Sequence, residues 1–255
     1  MVAQKGSPSP YYITVNNKNK MTHFKLTSEE IKLNNITLYR IELTKKCKWG
    51  NIGDKGGFVE KKSNLNGNAW VSGNAKVYGD AEVYGDAEVS GNAKVSGNAK
   101  VYGNAKVSGD AWVYGNAKVS GDAWVSGDAW VYGNAKVYGD AEVYGDAEVS
   151  GNAKVYGNAE VSGDAKVYGN AEVSGDAWVS GDAWNTSPLQ IVGTRHFINV
   201  SKKNHLTIGC KEFTFAFWKK NFKRIGEEND YTEEEIAEYR MYINLAVNLY
   251  SKKQK

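Results

Sequence analysis

The 255-residue chain is poor in cysteine, proline and histidine, and it has no long apolar run. Each shortage removes a class of explanation. No stretch approaches the roughly 18 apolar residues of a membrane-spanning helix, and the mean hydropathy is −0.54. A soluble protein without a membrane partner is expected. The first 20 residues, MVAQKGSPSPYYITVNNKNK, lack the apolar core of a secretory signal. Cys47 and Cys210 are the only cysteines, fewer than a disulfide framework usually shows. Both are expected as free thiols, which suits a reducing cytoplasm.

Catalytic vocabulary is equally thin. The histidines are His23, His196 and His205, and all lie outside the repetitive middle of the chain. There is no HExxH, no Walker lysine pattern and no paired-cysteine zinc spacing. The glycine-rich run from Gly50 to Gly57 lacks the strand–helix context of a phosphate loop, and a turn is expected there. Gly-Asp recurs, but without the extra glycines and the period of a calcium-binding nonapeptide repeat. No cofactor, no metal and no enzymatic activity are expected.

Charge is unevenly spread. Residues 1–60 carry ten basic and five acidic groups, residues 61–184 ten and sixteen, and residues 185–255 twelve and eight. The middle is therefore acidic and both ends are basic. Basic residues are not concentrated on one element, so nucleic acid is not an expected partner.

What the sequence has in abundance is a six-residue unit, Gly-[Asn/Asp]-Ala-[Lys/Glu/Trp]-Val-[Tyr/Ser]. It starts at Gly67 and recurs 20 times without insertion, the last copy starting at Gly181. Two weaker copies precede it, Gly57-Phe58-Val59 and Ser63-Asn64-Leu65, each with an expected small-x-aliphatic core. Ala and Val, two apart, share one face of a strand, and the residue between them faces the other way. Val suits a pleated surface. Gly with Asn or Asp accepts turn dihedrals. Each hexad is thus a strand plus a corner, and stacked copies are needed to bury a continuous core.

This spacing resembles the hexapeptide repeat of left-handed β-helix proteins, in which three hexads form one triangular coil. The resemblance covers roughly residues 55–186. This chain departs from it by placing Tyr or Ser after the aliphatic residue. The flanks, Gly53-Asp54-Lys55-Gly56-Gly57-Phe58-Val59-Glu60 and Leu206-Thr207-Ile208-Gly209-Cys210, resemble uncharacterised hexapeptide-repeat proteins of phages and prophages. The implied fold is mainly β: a solenoid at 55–186, an N-terminal β cap at 22–54 and a C-terminal α+β domain at 187–255. A disordered extension is expected at 1–21, with Met21 an alternative start. The resemblance also implies that a homo-oligomer, such as a trimer, is plausible. Acyltransferases of this fold use a His in or beside the coils, and its carbonic anhydrases use three for zinc. The absence of His from the repeat makes an acyltransferase relative the weakest alternative.

With three hexads per coil, positions 18 apart stack about 4.8 Å apart. Three outward ladders follow. The first holds Trp70, Glu88, Lys106, Trp124, Glu142, Glu160 and Trp178 and is acidic. The second holds Lys76, Lys94, Trp112, Trp130, Glu148, Lys166 and Trp184. The third holds Glu82, Lys100, Lys118, Lys136, Lys154 and Glu172. All six tryptophans are expected outside, and exposed aromatic surface often marks an interface. Trp112, Trp124 and Trp130 are candidates for sugar or protein contact, and Lys100, Lys118, Lys136 and Lys154 for anions. Residues 70–99 recur at 130–159 with two changes, an offset of ten hexads that moves the copy to another face. That shift argues for a loosely constrained surface.

The ends are where specificity is expected. Strands are predicted at 22–26 and 36–43, then at about 190–192, 197–200 and 206–210. Helices are predicted from Glu212 to about Ile225 and from Thr232, where Thr232 and Glu235 form a capping box. The apolar stripe Ile236, Tyr239, Ile243, Ala246, Val247 and Tyr250 has helical spacing and is expected to pack on the preceding helix. Trp218 and Phe222 are further candidates for partner contact. The functional expectation is a non-enzymatic, cytoplasmic scaffold that binds a protein such as a host factor. The alternative is a carbohydrate- or surface-recognition module using Trp and Tyr ladders.

Overall fold

The computed structural model describes residues 23–251; the extension at 1–21 and the alternative start lie outside the described residues. The repeat folds as its alternation requires. Each hexad from Trp70 onward contributes a strand of two to four residues. Each strand pairs in parallel with the strand one coil further on, as in Lys106↔Trp124 and Val107↔Val125. Successive hexads visit three sheets in turn, giving a three-sided solenoid of seven-, six- and ten-stranded faces. Hydrogen bonds join coils at strands and corners alike: Trp112 N donates to Ala129 O at 2.9 Å and Asp110 N to Gly127 O at 2.9 Å.

The inward Ala and Val residues from Ala69 to Val179 are at most 1% exposed. Burying one such Val contributes roughly 1.5–3 kcal/mol before chain entropy is set against it. The corners turn on glycine, with φ between 58° and 76° in every repeat copy.

The N-terminal cap is an antiparallel hairpin, β1 (Phe24–Leu33) and β2 (Ile36–Leu43), followed by β3 (Lys55–Val59). The first strand runs to Leu33, well past the expected residue 26, and the turn shrinks to Asn34 and Asn35, with Asn34 at φ 53°. β2 pairs antiparallel with β3, and β3 pairs in parallel with the coil strand at Lys76. The hairpin thereby extends the ten-stranded face. Phe24, Ile41 and Leu43 close the first coil from above. Gly57-Phe58-Val59 takes its expected place, but the second weak copy does not. A 3₁₀ turn at Lys62–Asn64 puts Ser63 outside and Asn64 inside, fully buried. Asn64 is satisfied there: its Nδ2 donates to Ala81 O at 2.8 Å and its Oδ1 accepts from Lys61 N at 2.9 Å.

The last coil breaks register. Trp184 stands opposite Val167 and Ala183 opposite Lys166, one residue short of the 18-residue spacing. Gly181 and Asp182 are both left-handed, at φ 59° and 55°, and take up the difference. A one-residue slip exchanges the two faces of a strand. The indole therefore occupies a Val position and plugs the end of the core, against Tyr250.

A four-stranded antiparallel sheet follows: Gln190–Val192, Phe197–Lys202, His205–Ile208 and Lys211–Thr214. The expected helix starts at Glu212, but Lys211–Thr214 is a strand. It pairs with His205–Ile208 through a turn at Gly209 (φ 56°), so α1 spans Phe215–Glu228 with Thr214 as its N-cap. α2 spans Glu233–Ser251. Its capping box is present, with Thr232 N donating to Glu235 Oε2 at 2.8 Å and Glu235 N to Thr232 Oγ1 at 3.2 Å. Tyr239, Ile243 and Ala246 are buried in the same core as Trp218 of α1. This domain also closes the open sheet edges. Gln190 Nε2 donates to Glu172 O at 2.9 Å, and Asn199 Nδ2 donates to Trp178 O at 2.6 Å. Such edges otherwise invite another strand.

Candidate functional site

The outward positions of the solenoid form the candidate binding surface. The 18-residue register brings Lys100, Lys118, Lys136 and Lys154 into one row on the six-stranded face. Glu82 and Glu172 end the row and neutralise its outer members, Lys100–Glu82 at 3.3 Å and Lys154–Glu172 at 2.6 Å. The Lys154 hydrogen bond lowers the Glu172 carboxyl and raises Lys154 in turn. Lys118 and Lys136 are exposed and have no ion-pair partner among the described residues. The corner beside the four lysines carries no charge. Asn98, Asn116, Asn134, Asn152 and Asn170 form a ladder of side-chain hydrogen bonds at 3.1–3.2 Å. The other two corners mix Asn with Asp, and on one of them Asn104–Asp122 and Asn158–Asp176 are both 2.8 Å apart.

Trp112 and Trp130 are neighbours on the ten-stranded face. They do not form a flat platform. Their rings meet at 71° with centroids 5.7 Å apart, and Tyr114 packs against both. Trp124 stands on the seven-stranded face, away from them. Of the six tryptophans expected outside, Trp124, Trp130 and Trp178 are exposed and Trp112 is half-buried. Trp70 and Trp184 are buried, one beneath the N-terminal cap beside His23 and the other by the register slip.

A pattern that the linear sequence hides joins three of the tryptophans to serines. Trp112, Trp124 and Trp178 each donate Nε1 to the hydroxyl of a serine 16 residues earlier: Ser96 at 3.1 Å, Ser108 at 2.9 Å and Ser162 at 3.0 Å. The large ring lies over the small corner residue of the preceding coil. Where that corner residue is Tyr and the residue 16 later is Glu, the tyrosine hydroxyl reaches the carboxylate instead: Tyr132–Glu148 at 3.2 Å, Tyr144–Glu160 at 3.0 Å and Tyr156–Glu172 at 3.2 Å. Corner tyrosines one coil apart stack face to face, Tyr84 on Tyr102, Tyr114 on Tyr132 and Tyr138 on Tyr156, with centroids 4.9–5.0 Å apart. Burial, and then the neighbouring Tyr102, push the Tyr84 hydroxyl up to about 12. The offset of 16 is legible only once the coil length is known.

Trp218 and Phe222, the candidates in the end domain, line one cavity of about 250 Å³ between the two helices and the sheet. Trp218 is a core residue and not a surface anchor. It is 3% exposed, and its Nε1 donates to Leu206 O at 2.7 Å. The strand at Lys211–Thr214 leads into α1 so that this face of the helix points into the sheet–helix core. His196, Cys210, Tyr231 and Tyr239 also line the cavity. Tyr239 is the pin of this region, its hydroxyl accepting from Arg195 N at 3.0 Å and His196 N at 2.6 Å. Burial, followed by the nearby Tyr239, pushes the Tyr231 hydroxyl up to about 12, although the Arg195 guanidinium lies 4.6 Å above its ring. His205 sits apart, its Nδ1 2.8 Å from Lys203 O. Among the described residues no three His, Cys, Asp or Glu side chains are placed to hold a metal ion, and no helix is long and apolar enough to cross a membrane.

Residues 99–115 match a family described as the YdcK β-solenoid repeat. No curated protein matches the chain. The matched segment spans three consecutive corners of the solenoid, from Ala99 to Gly115, one on each side of a coil. Three parallel sheets wound from successive hexads, together with that match, make this chain a β-solenoid repeat protein.

Proposed function

We propose that this protein is a non-catalytic scaffold that docks a macromolecular partner on the outer faces of its solenoid. The partner is a protein, a host factor if the chain is phage-encoded, and the setting is the cytoplasm. The observation that carries this reading is the pair Lys118 and Lys136. The solenoid segment holds more acidic than basic groups, yet these adjacent cations stand opposite each other without a carboxylate. Like charges placed directly opposite on neighbouring strands destabilise a sheet. A carboxylate at either position would relieve that repulsion, as Glu82 and Glu172 do at the ends of the row. A partner that supplies the missing negative charge accounts for the arrangement. The reading is tested by affinity capture with the full chain and with Lys118→Glu/Lys136→Glu, followed by mass spectrometry. A protein retained by the first and lost by the second supports it; identical recovered sets refute it.

A second reading, recognition of carbohydrate, rests on Trp130. It is 42% exposed beside Trp112 and Tyr114. Glycan-array binding that disappears in Trp130→Ala would favour it over a protein partner.

A further inference from the structure

The tyrosine corner beside the lysine row has one vacant ring position. Reading along the solenoid, the corner residues are Tyr84, Tyr102, Ser120, Tyr138 and Tyr156. Tyr84 and Tyr102 are parallel to 1° at 4.9 Å, and Tyr138 and Tyr156 are parallel to 3° at 5.0 Å. Parallel rings this close must overlap face to face, because rings side by side in one plane would clash. The second faces of Tyr102 and Tyr138 are therefore turned toward the coil that carries Ser120. Two coil spacings separate them, about 9.6 Å. That gap admits one planar ring, at the same separation from each tyrosine as the tyrosines keep within their own pairs.

The chain itself shows what fills a serine notch. At Ser96, Ser108 and Ser162 the occupant is an indole whose N–H meets the serine hydroxyl. The residue positioned to fill the Ser120 notch from the next coil is Lys136, which is exposed and has no ion-pair partner among the described residues. Two other serines interrupt tyrosine runs on another corner. Ser96, between Tyr78 and Tyr114, is filled by Trp112. Ser150, between Tyr132 and Tyr168, lies next to the Lys166–Glu148 ion pair at 2.7 Å, which leaves it electrically neutral. Among the described residues, only the Ser120 notch combines flanking ring faces with cations that have no ion-pair partner.

We propose that the Ser120 notch receives a tryptophan side chain of a partner protein, flanked in that partner by carboxylates. The indole ring enters between Tyr102 and Tyr138, its N–H donates to Ser120 Oγ, and the carboxylates meet Lys118 and Lys136. This rests on the docking role proposed above and names the chemistry of the docked segment.

The test uses the purified full chain, ¹⁵N-labelled, titrated with the peptide acetyl-Asp-Trp-Asp-amide. Expected are saturable amide shifts centred on Ser120, Gly121 and Lys136. They should be lost with the Trp-to-Ala peptide and weakened by raised salt. Ser120→Tyr completes the tyrosine column with a residue already used at that place in other hexads, and is expected to weaken binding at least tenfold. Lys118→Gln/Lys136→Gln, a surface change that leaves the core untouched, is expected to weaken it about two- to tenfold. Shifts that map elsewhere, or a Ser120→Tyr chain that is folded and binds equally well, overturn the proposal. Self-association of the unmodified chain in sedimentation that Ser120→Tyr abolishes would assign the notch to a second copy and also overturn it. Peptide binding is independent of lysate capture: loss of captured partner in Lys118→Glu/Lys136→Glu without peptide shifts would sink this inference and leave the docking role standing.

Discussion

The corner glycines make the sharpest prediction about stability, because two of them share a left-handed backbone but differ in how closely the next coil approaches. Gly109 and Gly163 are both left-handed, at φ 67° and 58°. A Cβ on Gly109 would meet Gly127 N and O at 2.9 Å, whereas one on Gly163 would meet only Gly181 N, at 3.9 Å. Alanine at either position carries the left-handed penalty of roughly 1–2 kcal/mol. A stiffer unfolded chain offsets about 0.4–1 kcal/mol of it. At Gly109 the coils must also move apart, stretching the bond from Asp110 N to Gly127 O, now 2.9 Å. Weakening a buried backbone bond costs about 1–3 kcal/mol more. Gly109→Ala should thus be less stable than Gly163→Ala by about 2 kcal/mol, a Tm difference of about 4–8 °C for a domain of this size. Thermal unfolding followed by circular dichroism measures it. Equal Tm values for the two variants would refute the idea that glycine is required for coil-to-coil approach, leaving only its dihedral freedom.

Other perturbations follow from the caps. Tyr239→Phe removes the acceptor of two backbone N–H groups and should cost about 1–3 kcal/mol, read as lower denaturant resistance of the end domain. Trp218→Ala should cost about 3–5 kcal/mol by emptying a packed site, while Trp130→Ala on the exposed face should change stability by less than about 0.5 kcal/mol. His23 is 5% exposed, and burial, then Lys45's charge among the lowering influences, holds it below the ordinary histidine range. Unfolding restores a value near 6.5. The unfolded chain therefore binds the extra proton, and stability should fall as pH drops from about 6.5 toward the depressed folded value, with no such loss above it. His23→Phe should flatten that part of the stability profile, measured by denaturant titrations between pH 7.5 and 5.

The caps themselves were half legible. The Thr232–Glu235 capping box and the apolar stripe of α2 obey local rules, so the helix stands where its residues place it. Lys211–Thr214 does not obey them. Glu212 and Phe213 suit a helix as well as a strand, and pairing with His205–Ile208 decided between the two. The lysine row was legible from the period of 18, since stacked coils place equal positions side by side. That Lys118 and Lys136 lack ion-pair partners among the described residues while Lys100 and Lys154 have them required side-chain geometry.

Twenty uninterrupted copies of one hexad by themselves determined the solenoid, because alternating inward Ala and Val can be buried only by stacking. The sequence also determined which residues face outward within an undisturbed coil. Tertiary structure alone decided the exceptions. Trp70 looked like any other outward tryptophan until the hairpin covered it, and Trp184 until two left-handed residues slipped the last strand by one. The serine notches belong to the same class. Their partners lie 16 residues apart in sequence but in contact across neighbouring coils, and only the winding of the chain brings Ser120, Tyr102 and Tyr138 to one place.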